Sequence, residues 1–293
     1  MDYRKDFMSR ILGEYLHPKN MLKIFYKPHR IPYAIKNFYD KTKTFYADIK
    51  FKPQTSEYFL DVYKHSVSGL SELASNNSIK KLKIESITDI LNTGIFNSPF
   101  SIKIGELFKQ YGSDKSTVHD YYLVYSDVLE KKANLPINIL EIGLGTNNID
   151  VLSNMGLEGK PGASLRAFRD ACINANVYGA DIDNRILFTE DRIKTFFIDQ
   201  TQPDTFKKLK DELVDIKFDL IIDDGLHNSQ ANINTLNFAL DMLKDDGVFI
   251  IEDISIDDYD FHQIIAALLK EKYTLHFLQT KSAYLCMIKK NAA

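Results

Sequence analysis

The chain has 293 residues, 44% hydrophobic and 26% charged, a make-up that suits a globular protein with one catalytic domain and a smaller appendage. A formal charge of −3 argues against a dedicated nucleic-acid binder, which should be basic or carry a basic stripe. No apolar run reaches membrane-spanning length and no signal-peptide core follows Met1 to Asp6, so a cytoplasmic protein without membrane insertion is expected.

Residues 1 to about 100 contain no Gly-rich loop, and their apolar residues recur at roughly helical spacing. Arg10 to Leu16 and Glu57 to Tyr63 read as amphipathic helical pieces, punctuated by His17-Pro18, Lys27-Pro28 and Ile31-Pro32. Lys19, Lys23, Lys27, His29 and Arg30, interleaved with Phe25 and Tyr26, form a basic cluster that could touch an acidic glycan or a membrane face. A solvated helix face is the favoured reading. The Asn/Ser/Lys-rich stretch Ser75 to Lys83 suggests a linker or exposed turn. The region as a whole is expected to be a helical auxiliary domain, 1–100, that makes oligomer contacts or covers substrate.

Between Ile104 and Tyr125 stands Tyr111-Gly112-Ser113-Asp114-Lys115, followed by His119, Tyr121, Tyr122 and Tyr125. On physical grounds Gly-Ser-Asp is a turn that caps a following helix. Ile137 to Ile142 is then a short apolar run with an acid, Glu141, near its end, the signature of a buried parallel strand. Gly143 and Gly145 follow at once and would let the backbone approach a ligand at the strand tip. A dinucleotide fingerprint needs a third glycine where Asn148 stands. A long loop, Thr146 to Gly162, comes next, and loops of that length tend to cover a site. A helix is expected from Ala163-Ser164.

Four more strands end in polar residues. Asn176 to Asp183 places Asp181, and as second choice Asp183, where a carboxylate can bind ribose hydroxyls in any Rossmann-like nucleoside site. Thr195 to Gln200 carries Asp199, which alone would read as a turn residue or helix cap. Phe218 to His227 empties Asp223, Asp224, Gly225 and His227 into its mouth, and Gly247 to Asp253 empties Glu252 and Asp253. Neighbouring parallel strand ends share one crevice, and carboxylates gathered there repel unless protonated or neutralised by a cation. Oxygen-rich sites suit Mg²⁺, and a nearby imidazole such as His227 can take a hydroxyl proton near neutral pH. The plainer alternative makes the acids helix caps and His227 a surface residue. Lys272 to Leu278 and Ala283 to Ile288 read as a closing antiparallel hairpin. Cys172 and Cys286 lack metal or redox spacing and read as reduced core thiols.

Seven ordered pieces, Gly-Ser-Asp-Lys, Leu-Glu-Ile-Gly-Leu-Gly, Gly-Ala-Ser-Leu-Arg, Gly-Ala-Asp-Ile-Asp, Asp-Gln, Asp-Asp-Gly-x-His and Ile-Ile-Glu-Asp, give residues 105 to 290 a resemblance to bacterial sugar O-methyltransferases. These are class I, dependent on S-adenosylmethionine (SAM), and the resemblance is particularly to the metal-dependent macrolide-sugar type. The resemblance implies an α/β fold with a mostly parallel Rossmann-like sheet and a C-terminal antiparallel hairpin over residues 101–293. It implies SAM contacts at Glu141, Gly143, Gly145, Ser164, Asp181, Asp199, Gln200 and Asp223. Metal ligands correspond to Asp224, Glu252 and Asp253, the base corresponds to His227, and Asp224 counts with His227 as catalytic. The expected cofactors are SAM and Mg²⁺, the expected partner a small-molecule or glycan-precursor substrate of polysaccharide or natural-product biosynthesis, and the expected state a homo-oligomer. Other readings stay open: a phosphoryl or phosphoramidate acceptor on a capsule precursor, a small phenol, an NAD-dependent oxidoreductase or epimerase, and a non-catalytic nucleoside-binding scaffold.

Overall fold

The computed structural model describes residues 63–72, which are helical, and residues 81–291. The expected N-terminal helical pieces up to residue 62, the basic cluster around Lys19 to Arg30, and most of the Ser75 to Lys83 linker lie outside the described residues. A compact unit begins at Val67, and it is built on one nine-stranded sheet. The strands are β1 (Ile84–Ser86), β2 (Asn138–Ile142), β3 (Asn176–Asp181), β4 (Thr189–Glu190), β5 (Ile193–Phe197), β6 (Phe218–Asp223), β7 (Leu243–Ile254), β8 (Tyr273–Gln279) and β9 (Tyr284–Lys290). Their order across the sheet is β1-β8-β9-β7-β6-β2-β3-β5-β4.

Strands β7, β6, β2, β3 and β5 run parallel, while β9 pairs antiparallel with both β7 and β8. The parallel strands with a closing antiparallel hairpin are the architecture expected from sequence. One boundary differs. The stretch from residue 81 to 100, assigned by sequence to the N-terminal region, belongs to the sheet unit. β1 pairs parallel with β8, setting Ile84 opposite Phe277, and Ile87, Leu91 and Ile95 join the core. Those elements are too short to show a strand or helix period, which is why sequence does not separate them from what precedes.

Helices cover both faces of the sheet, so its central strands are apolar on both sides, and β6 is buried throughout. Ile139, Leu220, Ile222 and Ile250 face one layer, made by α2 (Pro99–Tyr111), α3 (Tyr121–Leu129) and α4 (Ala163–Ala171). Leu140, Ile142, Ile221, Phe249 and Ile251 face the other, made by α5 (Pro203–Glu212), α6 (Ser229–Met242) and α7 (Tyr259–Leu269); a single turn, α1 (Ile87–Ile90), follows β1. This two-residue alternation continues into the polar strand ends and decides where each acid points. Among the described residues no helix is long and apolar enough to cross a membrane.

Candidate active site

The C-terminal tips of β2, β3, β5, β6 and β7 open onto one cavity of about 700 Å³. Two glycines shape its floor. Gly143 has φ +96°, and a Cβ there would lie 2.0 Å from the carbonyl oxygen of Asp224. Only glycine lets the loop after β2 cross the loop after β6 at that distance. Gly145 also has positive φ, +72°. The two loops are further tied by the Asp224 amide, which donates to the Ile142 carbonyl at 2.8 Å.

One side of the cavity is lined by Gly143, Gly145, Asp181, Asp183, Asp199 and Gln200. Asp181 ends β3 and accepts from the amides of Leu144 (2.7 Å) and Asp183 (2.8 Å). Burial raises its pKa, and those backbone donors oppose the rise. Asp183 fastens the long loop: it accepts from Thr146 Oγ1 and Asn148 Nδ2, each at 2.7 Å, and from Arg185. The Arg185 guanidinium holds the Asp183 carboxyl well below the usual range. Arg185 also reaches Asp150 on the loop, at 3.0 Å, and Val151, Leu152, Ser153 and Met155 of that loop line the cavity. Asp199 accepts from the amide and hydroxyl of Thr201 at 2.9 and 2.7 Å.

Three sequence-assigned contacts are placed elsewhere. Glu141 shares the face of Ile139 and is completely buried there; it bonds Ser164 Oγ and lies 3.2 Å from Lys115 Nζ. Neither Glu141 nor Ser164 is among the cavity-lining residues. Asp223, on the opposite face, accepts from Gln200 Nε2 at 2.7 Å and Asn232 Nδ2 at 3.0 Å and does not line the cavity either. The reason is parity within buried strands: these acids face the helix layers, where Asp223 is hydrogen-bonded through both oxygens and Glu141 through Oε2 to Ser164, with its Oε1 towards Lys115. Gln200 lines the cavity, but its amide also donates to Thr235 Oγ1 and accepts from Leu226 N. Arg166, on α4, pairs with Glu190 at 2.7 Å.

The opposite side of the cavity carries Asp224, His227 and Asp253. Each offers one ligand atom, and the three atoms lie within 4.8 Å of one another. His227 Nε2 is 4.0 Å from Asp224 Oδ1, and Asp253 Oδ1 accepts from Tyr121 OH at 2.5 Å. Glu252, on the face of Ile250, is not in this group. It is buried, its Oε2 accepts from Lys115 Nζ at 2.5 Å, and burial pushes its carboxyl up to about 7 against the pull of Lys115. Its Oε1 is buried without a hydrogen-bond partner among the described residues. Two cavity-facing carboxylates and an imidazole, with ligand atoms this close together, fit a divalent cation.

Lys115 and Tyr121 are contacts whose function sequence does not assign. Helix α2 stops because Gly112 takes a left-handed conformation, with its amide and that of Ser113 closing back on Lys109 and Phe108. Ser113 then caps the single turn Asp114–Ser116, and Lys115 turns inward until it is 2% exposed. Burial would lower its pKa, but Asp224, Glu252 and Glu141 together raise it well above the ordinary value.

No protein-family model matches the chain. Over 145 residues it is 28% identical to the 8-demethyl-8-alpha-L-rhamnosyl tetracenomycin-C 2'-O-methyltransferase of Streptomyces olivaceus, covering 50% of this chain and 36% of that protein. Over 152 residues it is 26% identical to the demethylmacrocin O-methyltransferase of Streptomyces fradiae, covering 52% and 36%. The aligned part thus spans about a third of each relative's length. Among solved structures, the MycE methyltransferase from the mycinamycin biosynthetic pathway, in complex with Mg and SAH, superposes with a TM-score of 0.51 at 20% identity, over 64% of this chain and 55% of that one. Its sheet, the crevice at the parallel strand tips and the closing hairpin give this chain the Rossmann-like α/β fold of class I methyltransferases, and its sequence is similar to sugar O-methyltransferases of Streptomyces.

Proposed function

We propose that the protein is a SAM-dependent O-methyltransferase, Mg²⁺-assisted, acting on a sugar hydroxyl of a natural product or of a bacterial glycan precursor. The observation that carries this reading is the convergence of Asp224, His227 and Asp253 beside a glycine-floored nucleoside crevice in one cavity. The names of the relatives, all O-methyltransferases and two of them of rhamnosyl tetracenomycins, support the acceptor class.

When bound, SAM would supply a methyl group on a sulfonium leaving group, and the divalent cation would lower the pKa of the acceptor hydroxyl. Asp181 and Asp199 would bind the ribose and the base, with Gly143 and Gly145 letting the backbone come close. Asp224 and Asp253, with the unpartnered oxygen of Glu252, would hold the cation. His227 would take the hydroxyl proton on Nε2, the atom facing Asp224. Val151 to Met155, held over the cavity through Asp183 and Arg185, would exclude water from it. A homo-oligomer assembled through the N-terminal region belongs to the same proposal and is checked by light scattering. Cys172 and Cys286 are unpaired and buried, consistent with a reducing compartment.

The test is calorimetric titration of S-adenosylhomocysteine, with Mg²⁺ and then with EDTA, followed by transfer of labelled methyl to deoxysugar glycosides. Micromolar binding and chelator-sensitive labelling are expected. Heat with NAD and none with S-adenosylhomocysteine would overturn the reading.

A further inference from the structure

Lys115 takes no part in the steps above, yet its ammonium faces three carboxylates at once. Its Nζ lies 2.5 Å from Glu252 Oε2, 2.7 Å from Asp224 Oδ2 and 3.2 Å from Glu141 Oε1. These acids come from the tips of three strands, β7, β6 and β2. An ammonium among three carboxylates in a buried cluster cancels their mutual repulsion, which is also what a bound cation would do for them.

The pairing divides two of the acids in the same way. Asp224 gives Oδ2 to Lys115 and turns Oδ1 towards His227. Glu252 gives Oε2 to Lys115 and leaves Oε1 without a partner. Each therefore has one oxygen that Lys115 does not engage. We propose that Lys115 is a tethered counter-ion that competes with the divalent cation for Asp224 and Glu252. As a positioning residue it keeps the acids together before a divalent cation arrives, and it limits how tightly one is held. A loosely held, partly hydrated ion suits a site whose remaining positions must pass to acceptor oxygens. The inference rests on the metal part of the reading above and not on the identity of the acceptor.

The test uses the full chain, the Lys115→Met variant, and Mn²⁺ as the probe. Mn²⁺ affinity is read by electron paramagnetic resonance and stability by thermal unfolding in EDTA and in Mn²⁺. Removing a positive charge from the cluster should tighten Mn²⁺ binding by about tenfold or more. The Tm of Lys115→Met should fall in EDTA and recover in Mn²⁺, whereas the parent Tm should respond little. The double variant Lys115→Met/Glu252→Gln restores the charge balance, so its affinity should return towards the parent's. It also keeps the test open where the single variant does not fold. Unchanged Mn²⁺ affinity, with an equal loss of Tm in EDTA and in Mn²⁺, would reduce Lys115 to a packing role and overturn the inference. No Mn²⁺ binding by any of the three proteins would overturn both the inference and the metal part of the reading. Binding of S-adenosylhomocysteine by the same samples then shows whether the methyltransferase reading stands.

Discussion

His227 and Asp253 are two of five non-glycine residues with positive φ among those described, at 50° and 51°. A left-handed conformation costs such a residue on the order of 1–2 kcal/mol, and these two stand together on one side of the cavity, beside Asp224. Both side chains offer a ligand atom within 4.8 Å of one on Asp224. A substitution that tests the base must therefore keep the backbone preference. Asparagine tolerates the left-handed region as histidine does but has no proton-accepting nitrogen. In His227→Asn, turnover should fall by about 10²- to 10⁴-fold, while the affinity for S-adenosylhomocysteine stays within about threefold. Loss of cofactor affinity in step with turnover would show that His227 holds the nucleoside and is not the base. At this scale sequence reading was partial. The residue types at the strand tips were legible because acids that end apolar runs stand out. Their directions needed one more step: Glu141 and Glu252 fall on one parity of their strands and Asp223 on the other, which sends them to different helix layers. Lys115 was not legible as their partner, since 109 residues separate it from Asp224.

The loops that follow the paired strands β2 and β6 cross at close range. With the Gly143 Cα packed against the Asp224–Gly225 peptide, a methyl group would sit 2.0 Å from a carbonyl oxygen and 2.9 Å from the Gly225 Cα. No side-chain rotation relieves a clash with backbone, so Gly143→Ala must push the two loops apart at the point where Asp224 leaves β6. Adding overpacking to the left-handed penalty gives a loss of about 3 kcal/mol or more. Because the same crossing forms the cavity floor, cofactor affinity should fall with it. A Tm within about 2 °C of the parent would mean that the loops separate freely. The strands themselves were readable from sequence because buried parallel strands are unbroken apolar runs. The loop from Thr146 to Gly162 was readable only as long. What shapes it is a carboxylate just past the next strand, Asp183, collecting Thr146, Asn148 and Arg185, and no local pattern shows such a hub.

Across the whole molecule, helix layers close the sheet on both faces, and the second layer contains a histidine that no reaction requires. His262 of α7 is fully buried, with its ring 5.5 Å from those of Phe261 and Phe277. Nδ1 lies 2.9 Å from the Asp258 carbonyl oxygen, and Nε2 has no partner among the described residues. Burial disfavours the imidazolium and lowers the pKa, with Asp258 opposing. The folded chain therefore excludes a proton that the unfolded chain takes up below about pH 6.5. Where the unfolded state binds more protons, stability rises with pH, so this contribution is intact above that pH and is lost as the pH falls. Glu141 and Glu252 run the opposite way, because burial raises their pKa values and the folded chain then binds more protons than the unfolded one. Their influence cancels when two proteins differing only at His262 are compared. Thermal unfolding of the parent and of His262→Phe, followed from pH 8 to pH 5 in metal-free buffer, should give curves with a constant offset above about pH 7. Below it the parent should lose the greater stability. Parallel curves over the whole range would mean that the buried ring accepts its second proton as readily in the fold as outside it.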